Sequence, residues 1–267
     1  MPGPLDGGGN TVTTVPSSLE DRGRILRELG FATKQVGEQL HGRAEITPEM
    51  HVPGTTALRT SVLATWADTV SGLLASVVMG PRVPVTVELD VHLYRPAPGE
   101  GEVRAVGRTV KVGRSVFVAE CEFSVAGEPI GFSGASFMVA PDPEVRLPEQ
   151  LSVDLPLTGE RLPTPLADRA ECARVAPGTA VLPRSVEGLN ASGTVNGGLL
   201  ALAAEESVLS LASGTTLSFL SLRYLLGARV GPVAAEARLH SGVARVEVRD
   251  TGNDDRLTTL ATARTFD

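Results

Sequence analysis

The chain writes one structural programme twice, and that repetition constrains its fold more than any other feature. Over residues 58–79, Val62, Trp66, Val70, Leu73 and Val77 recur at the spacing of a helix that buries one face, and Gly80-Pro81 ends the run. The period then changes to two. Val85, Val87, Leu89, Val91 and Leu93 alternate with Thr86, Glu88, Asp90 and His92, the pattern of a strand with one face in a core. Pro96-Ala97-Pro98-Gly99 makes a turn, and strands are predicted over 102–112, 115–125 and 130–139, joined at Gly113-Arg114 and Ala126-Gly127. In the second half a helix is predicted over 196–211 and strands over 215–224, 233–240, 244–250 and 257–266. Tyr94 and Tyr224 close equivalent strands 130 residues apart, whereas the helices stand 137 apart, so the loop after the first helix is the longer. Two like units follow, each a long helix with an antiparallel meander: an α+β architecture and not a short-period solenoid.

Composition divides the units. Pro141, Pro143, Pro148, Pro156, Pro163 and Pro165 make 141–165 a semi-rigid linker between a first unit at 17–140 and a second at 166–267. Residues 1–16, rich in Gly, Pro and Thr, are predicted to form a flexible tail, with neither the basic-then-apolar order of a leader nor an anchor. Ser17 or Ser18 is placed as the N-cap of a short helix that Gly30 stops, and 33–46 reads as extended. A formal net charge of −7 offers no general attraction to nucleic acid or to an anionic membrane. No uncharged apolar run approaches the length of about 20 residues that a membrane helix needs. A cytoplasmic protein is expected. Cys121 and Cys172 are too few for a disulfide framework, and His41, His51, His92 and His240 show no metal-ligand spacing, so no metal is expected. Edge strands point to a homodimer or homotrimer of the double unit.

Each helix carries an acid at one register. Asp68 stands eight residues after Thr60, and Glu205 eight after Gly197. An acid amid apolar helix is costly to bury, so its recurrence marks a candidate site. The copies are unequal: only the second opens on paired glycines, Gly197-Gly198, and only the first has the shorter acid.

A long helix wrapped by an antiparallel sheet, present twice, resembles a tandem (double) hotdog fold. The run Leu189-Asn190-Ala191-Ser192-Gly193-Thr194-Val195-Asn196-Gly197-Gly198, followed by Leu202-Ala203-Ala204-Glu205, resembles the phenylacetyl-CoA-type acyl-CoA thioesterases. In that family an Asn precedes a His-Gly-Gly, and an Asp follows at the spacing that Glu205 keeps here. Asn190 and the glycines hold their places, while Asn196 replaces the His and Glu205 the Asp. In the first half Asp68 holds the acid's place, Thr60-Ser61 replaces the glycines, and Pro53 stands where the Asn would be. The resemblance covers the chain from about residue 33 onward.

The resemblance implies hydrolysis of an acyl or aryl thioester to acid and thiol, with coenzyme A or an acyl-carrier protein as part of the substrate and no other cofactor. Such chemistry needs donors for a developing oxyanion and a base or nucleophile. Helix N-terminal N–H groups at Gly197-Gly198, with Asn190 or Asn196 as side-chain donors, fit the first need, and a carboxylate fits the second. The family's site lies between two units, which pairs Asp68 with Gly197, Gly198 and Asn190, and Glu205 with Thr60-Ser61. One working pocket is expected, with Asp68 as base or nucleophile and Trp66 on its floor. Lys111 and Arg114, beside a strand turn, are candidates for coenzyme A phosphates. Two rival readings stand beside this one. A hydratase or dehydratase of the same fold is prompted by His51-Val52-Pro53-Gly54, although the acid that reaction needs does not stand at its spacing. A non-catalytic acyl-CoA or lipid-binding module is prompted by the missing His.

Overall fold

The period-two segments pair into one antiparallel sheet of twelve strands, in the order β1-β2-β4-β5-β6-β3-β9-β12-β11-β10-β8-β7. The computed structural model describes residues 21–266 except 143 and 145; the predicted tail at 1–16 and the cap at Ser17 or Ser18 lie outside the described residues. The first unit comprises α1 (Arg24–Arg27), β1 (Ala32–Val36), β2 (Gln39–Glu45), α2 (Thr60–Met79), β3 (Pro84–Leu93), β4 (Glu102–Val112), β5 (Val116–Val125) and β6 (Glu128–Val139). The second comprises α3 (Leu166–Arg169), β7 (Ala173–Ala176), β8 (Thr179–Leu182), α4 (Gly197–Leu209), β9 (Leu217–Tyr224), β10 (Val233–His240), β11 (Val243–Asp250) and β12 (Arg256–Thr265).

Each half contributes six strands in the same internal order, and the two orders run as mirror images from a central seam. At the seam β3 pairs with β9 from Glu88↔Arg223 to His92↔Phe219. The segment read as simply extended, 33–46, is a hairpin: β1 turns at Gly37, whose φ of +60 suits a residue without a side chain, and returns as β2. A matching hairpin, β7–β8, opens the second unit.

The alternating apolar faces of both halves close over α2 and α4, which pack on the sheet and against each other. By length and composition α2 would span a bilayer, yet it is a core helix whose Val62, Leu63, Trp66 and Val70 are buried. Helix α4 is buried on every side, its two acids included, apart from Gly197 at its start. A helix apolar all round belongs in the centre of a core.

One departure from strict alternation positions the site. Between Thr86 and Glu88 the β3–β6 register slips, because Thr86 faces Phe137 and Glu88 faces Ser136, leaving Val87 as an extra residue. This bulge reverses the facing of everything before it. Thr86, expected on the outer face, turns inward with Leu89.

Candidate active site

The start of α4 is built by Asn196, the residue in the place of the family's His. Its Oδ1 accepts the Gly198 N–H at 2.9 Å, a helix cap of the ordinary kind. Among the described residues, the Gly197 N–H and Asn196 Nδ2 have no acceptor. Two donors are therefore left at the positive end of a helix dipole. A neighbour forbids a side chain at Gly198 and crowds one at Gly197. A Cβ on Gly198 would overlap Thr65 Oγ1 of α2, and one on Gly197 would meet the Tyr224 hydroxyl at 3.1 Å. Tyr224 Oη donates to the Gly197 carbonyl at 3.2 Å. Neither Thr65 nor Tyr224 carries a sequence signal for this site; the approach of α2 and of the end of β9 to the start of α4 brings them in.

Asp68 lies three residues beyond Thr65, about 4.5 Å further along α2, and is partly buried. Thr86, turned inward by the bulge, donates its hydroxyl to Asp68 Oδ1 at 2.7 Å. Burial raises the Asp68 pKa above the ordinary 3.8, and the Thr86 hydrogen bond opposes that without cancelling it. Tyr224 feels the same environment: burial first, and then the charge of Asp68, hold its hydroxyl protonated well above the usual pKa. A raised carboxyl, a neutral phenol and a helix start with free donors thus meet at one place.

The reciprocal end is built from the same positions and filled with charge. Arg59 precedes α2 as Asn196 precedes α4, and Thr60 and Ser61 stand for the glycines. Glu205, fully buried, accepts the Thr60 N–H at 2.9 Å, the Ser61 N–H at 3.3 Å and the Ser61 hydroxyl at 2.6 Å. Arg59 Nη1 reaches Glu205 Oε2 at 3.3 Å and Glu206 Oε1 at 2.6 Å, and Arg174 Nε holds Glu206 Oε2 at 2.6 Å. Burial works against the Arg59 charge, but the two carboxylates prevail and raise its pKa. Glu205 is thus a structural ligand of the α2 N-terminus in this conformation. Asp68, one methylene shorter and held by Thr86, makes no such bond to α4.

The other candidates sit elsewhere. Asn190 is closed on its own turn: Oδ1 accepts the N–H groups of Ser192 and Thr194 at 3.0 and 3.1 Å, and Nδ2 donates to Thr194 Oγ1 at 2.8 Å. Trp66 is not on the floor of the Asp68 site. It stacks on Phe31 with ring centroids 5.3 Å apart, because two residues along a helix point to nearly opposite faces. Lys111 and Arg114 are exposed and join no ion pair among the described residues. Lys111 lies beside Val112, which shares a row through Phe117 and Phe137 with Thr86. Three strand spacings, about 14 Å, separate that row's ends. His51 Nε2 is engaged by the Gly99 carbonyl at 2.7 Å. Burial raises the Cys121 and Cys172 thiols, the latter to about 12, so neither is a thiolate nucleophile. Among the described residues no group of His, Cys, Asp and Glu has the arrangement of a metal site. A cavity of about 650 Å³ opens beside Leu40, Leu74, Val77, Val78 and Val153, on the face of α2 away from Asp68, and contains none of these groups.

Residues 60–130, from the first residue of α2 into β6, match the family model of the thioesterase superfamily. Comparison with curated protein sequences gives no match. Among solved structures, an acyl-ACP thioesterase from Bacteroides thetaiotaomicron is 14% identical, with a TM-score of 0.63 over 86% of this chain and 98% of that one. A 12:0-ACP thioesterase from Umbellularia californica is 12% identical, with a TM-score of 0.64 over 87% of this chain and 99% of that one. The tesB protein of Mycobacterium avium subs paratuberculosis is 14% identical, with a TM-score of 0.57 over 91% and 97% of the two chains. At such identities the likeness is one of fold. The chain has the hotdog fold in tandem, and its first unit carries the sequence pattern of the thioesterase superfamily.

Proposed function

We propose that the protein hydrolyses an acyl thioester, on coenzyme A or an acyl-carrier protein, at one site between Asp68 and the start of α4. The observation that carries this is the inequality of the two helix ends. The α2 end is saturated by Glu205 and Arg59, whereas the α4 end keeps two donors free beside a carboxyl with a raised pKa. The thioesterase-superfamily match over 60–130 supports the reaction class.

In the proposed step, the Asp68 carboxylate takes a proton from water as the water oxygen attacks the thioester carbonyl carbon. The developing oxyanion accepts hydrogen bonds from the Gly197 N–H and Asn196 Nδ2 at the positive end of α4. Collapse of the adduct breaks the C–S bond. The proton held on Asp68 passes to the departing sulfur, so acid and thiol leave and the carboxylate is restored. Thr86 and Tyr224 position the carboxyl and the helix start. Lys111 and Arg114 are proposed contacts for the carrier's phosphates, and no further cofactor is invoked.

A panel of acyl-CoA and acyl-carrier substrates, read by thiol release, tests the reading. Asp68→Asn is expected to lower kcat about 10²- to 10⁴-fold, the range of a lost general base. Thiol release surviving at the wild-type rate in a folded Asp68→Asn protein would sink the assignment. A tight acyl-CoA complex without thiol release would instead favour the binding module, and hydration of an enoyl-CoA the dehydratase.

A further inference from the structure

A half-exposed stripe runs along α2 from the candidate site: Asp68, Thr69, Gly72, Leu73 and Ser76. The matching stripe of α4, displaced by 137 residues, is buried at Glu205, Glu206 and Leu209. Gly72 stands one turn beyond Asp68 on the same face, about 6 Å along the axis. Its counterpart, Leu209, is 0% exposed.

Packing does not ask for this glycine. A Cβ at Gly72 would meet the Phe137 ring at 3.6 and 3.8 Å, which is ordinary contact. By contrast, a Cβ at Gly107 would overlap Val70, and one at Gly198 would overlap Thr65. A glycine inside a helix lowers stability relative to alanine, so one that packing permits to be alanine leaves room for something else.

The surface around it is more apolar than its sequence. Thr69 Oγ1 donates to the Thr65 carbonyl at 2.9 Å, and Ser76 Oγ donates to the Gly72 carbonyl at 2.8 Å. With those hydroxyls turned onto their own helix, the stripe shows methyl and methylene groups to its surroundings. Phe137 lies beneath it in register with Thr86, and Phe117 packs edge-on against Phe137 with centroids 6.2 Å apart.

We infer that Gly72 is a specificity-determining residue: its missing side chain holds open an apolar channel along α2 that admits an acyl chain reaching past one helical turn from Asp68. This rests on the proposed acyl-thioester site. A leucine at 72, matching Leu209 in the second unit, confines the site to short acyl groups.

Two thioethers, S-dodecyl-pantetheine and S-ethyl-pantetheine, carry the arm that coenzyme A and acyl-carrier protein share, and cannot be hydrolysed. Calorimetric binding to the wild type, Gly72→Ala and Gly72→Leu therefore reads the channel whether or not turnover occurs. The dodecyl ligand is expected to bind the wild type more tightly than the ethyl ligand. Gly72→Leu should weaken it at least about tenfold, in the range set by one or two methylenes of pocket space, while ethyl binding stays within about twofold. Gly72→Ala should weaken the dodecyl ligand less, in the same direction, while its Tm rises by about 1–4 °C. Dodecyl binding unchanged in both folded variants, no dodecyl preference in the wild type, or a lower Tm in Gly72→Ala would overturn the inference. Absence of thiol release from every thioester, with these binding differences intact, would overturn the hydrolase reading and leave the channel standing.

Discussion

Replacing Glu205 with Gln changes one oxygen for one nitrogen and removes one charge from a fully buried site. The carboxylate receives four donors: the Thr60 and Ser61 N–H groups on one oxygen, and the Ser61 hydroxyl with Arg59 Nη1 on the other. Whichever way the amide is turned, one of those pairs meets an NH₂ group. Arg59 is left with Glu206 as its partner, and Glu206 already serves Arg174. Two charge-assisted bonds at about 1.5–3 kcal/mol each agree with the loss of about 3–5 kcal/mol seen when one member of a buried ion pair is removed. That is a large share of a typical stability of about 5–15 kcal/mol. The assay is urea unfolding, with the midpoint lowered and the slope unchanged. Arg59→Met/Glu205→Met removes the unpaired charge but leaves the Thr60 and Ser61 N–H groups and Glu206 Oε1 without their partners, so it should recover only part of the loss. A Glu205→Gln protein within about 1 kcal/mol of wild type, the bottom of the range for an unsatisfied buried donor, would refute the role assigned to the plug.

Two pH effects follow from the carboxyls. Because burial raises the Asp68 pKa, kcat/KM should fall on the acid side with an apparent pKa above 3.8, and that limb should be absent from the residual activity of Asp68→Asn. The folded protein holds this proton to higher pH than the unfolded chain does, so wild-type stability declines relative to Asp68→Asn as pH rises above about 3.9; parallel urea midpoints across pH measure it. Asp250 goes the other way. Burial raises its pKa, but the N–H groups of Arg229, Val230 and Gly231, at 2.7, 3.0 and 2.7 Å, outweigh that and hold it below 3.8. Its stabilisation is present above the unfolded-state pKa and lost as pH falls through the folded one. Asp250→Ala should cost about 1–3 kcal/mol at neutral pH, a gap that acid titration of both proteins should show closing.

The long helices and the eight strands read from the sequence were legible because each repeats its period several times over. The hairpins β1–β2 and β7–β8 were not, since β7 is four residues with no buried face and offers no alternation to detect. The bulge at Val87 was hidden for the opposite reason. Val85, Val87 and Leu89 keep perfect alternation in sequence, and only pairing with β6 shows that one of them is extra. Thr86 was therefore assigned to the wrong face. Arg59 carried no local signal either: an arginine before a helix reads as solvated, and its partners lie 146 and 147 residues away. Aspartate against glutamate at one register was visible. What one methylene does to the reach of each acid required the two helix ends side by side.

The mirrored strand order has a consequence for what can vary. In a homodimer of single units, one gene specifies both helix ends, so any substitution appears at both. A buried arginine that closed one would close its twin. Joined in one polypeptide, the ends are encoded separately, and mutation at 59 leaves position 196 untouched. The continuous sheet keeps the geometry of a symmetric pair while its two halves are inherited as independent characters.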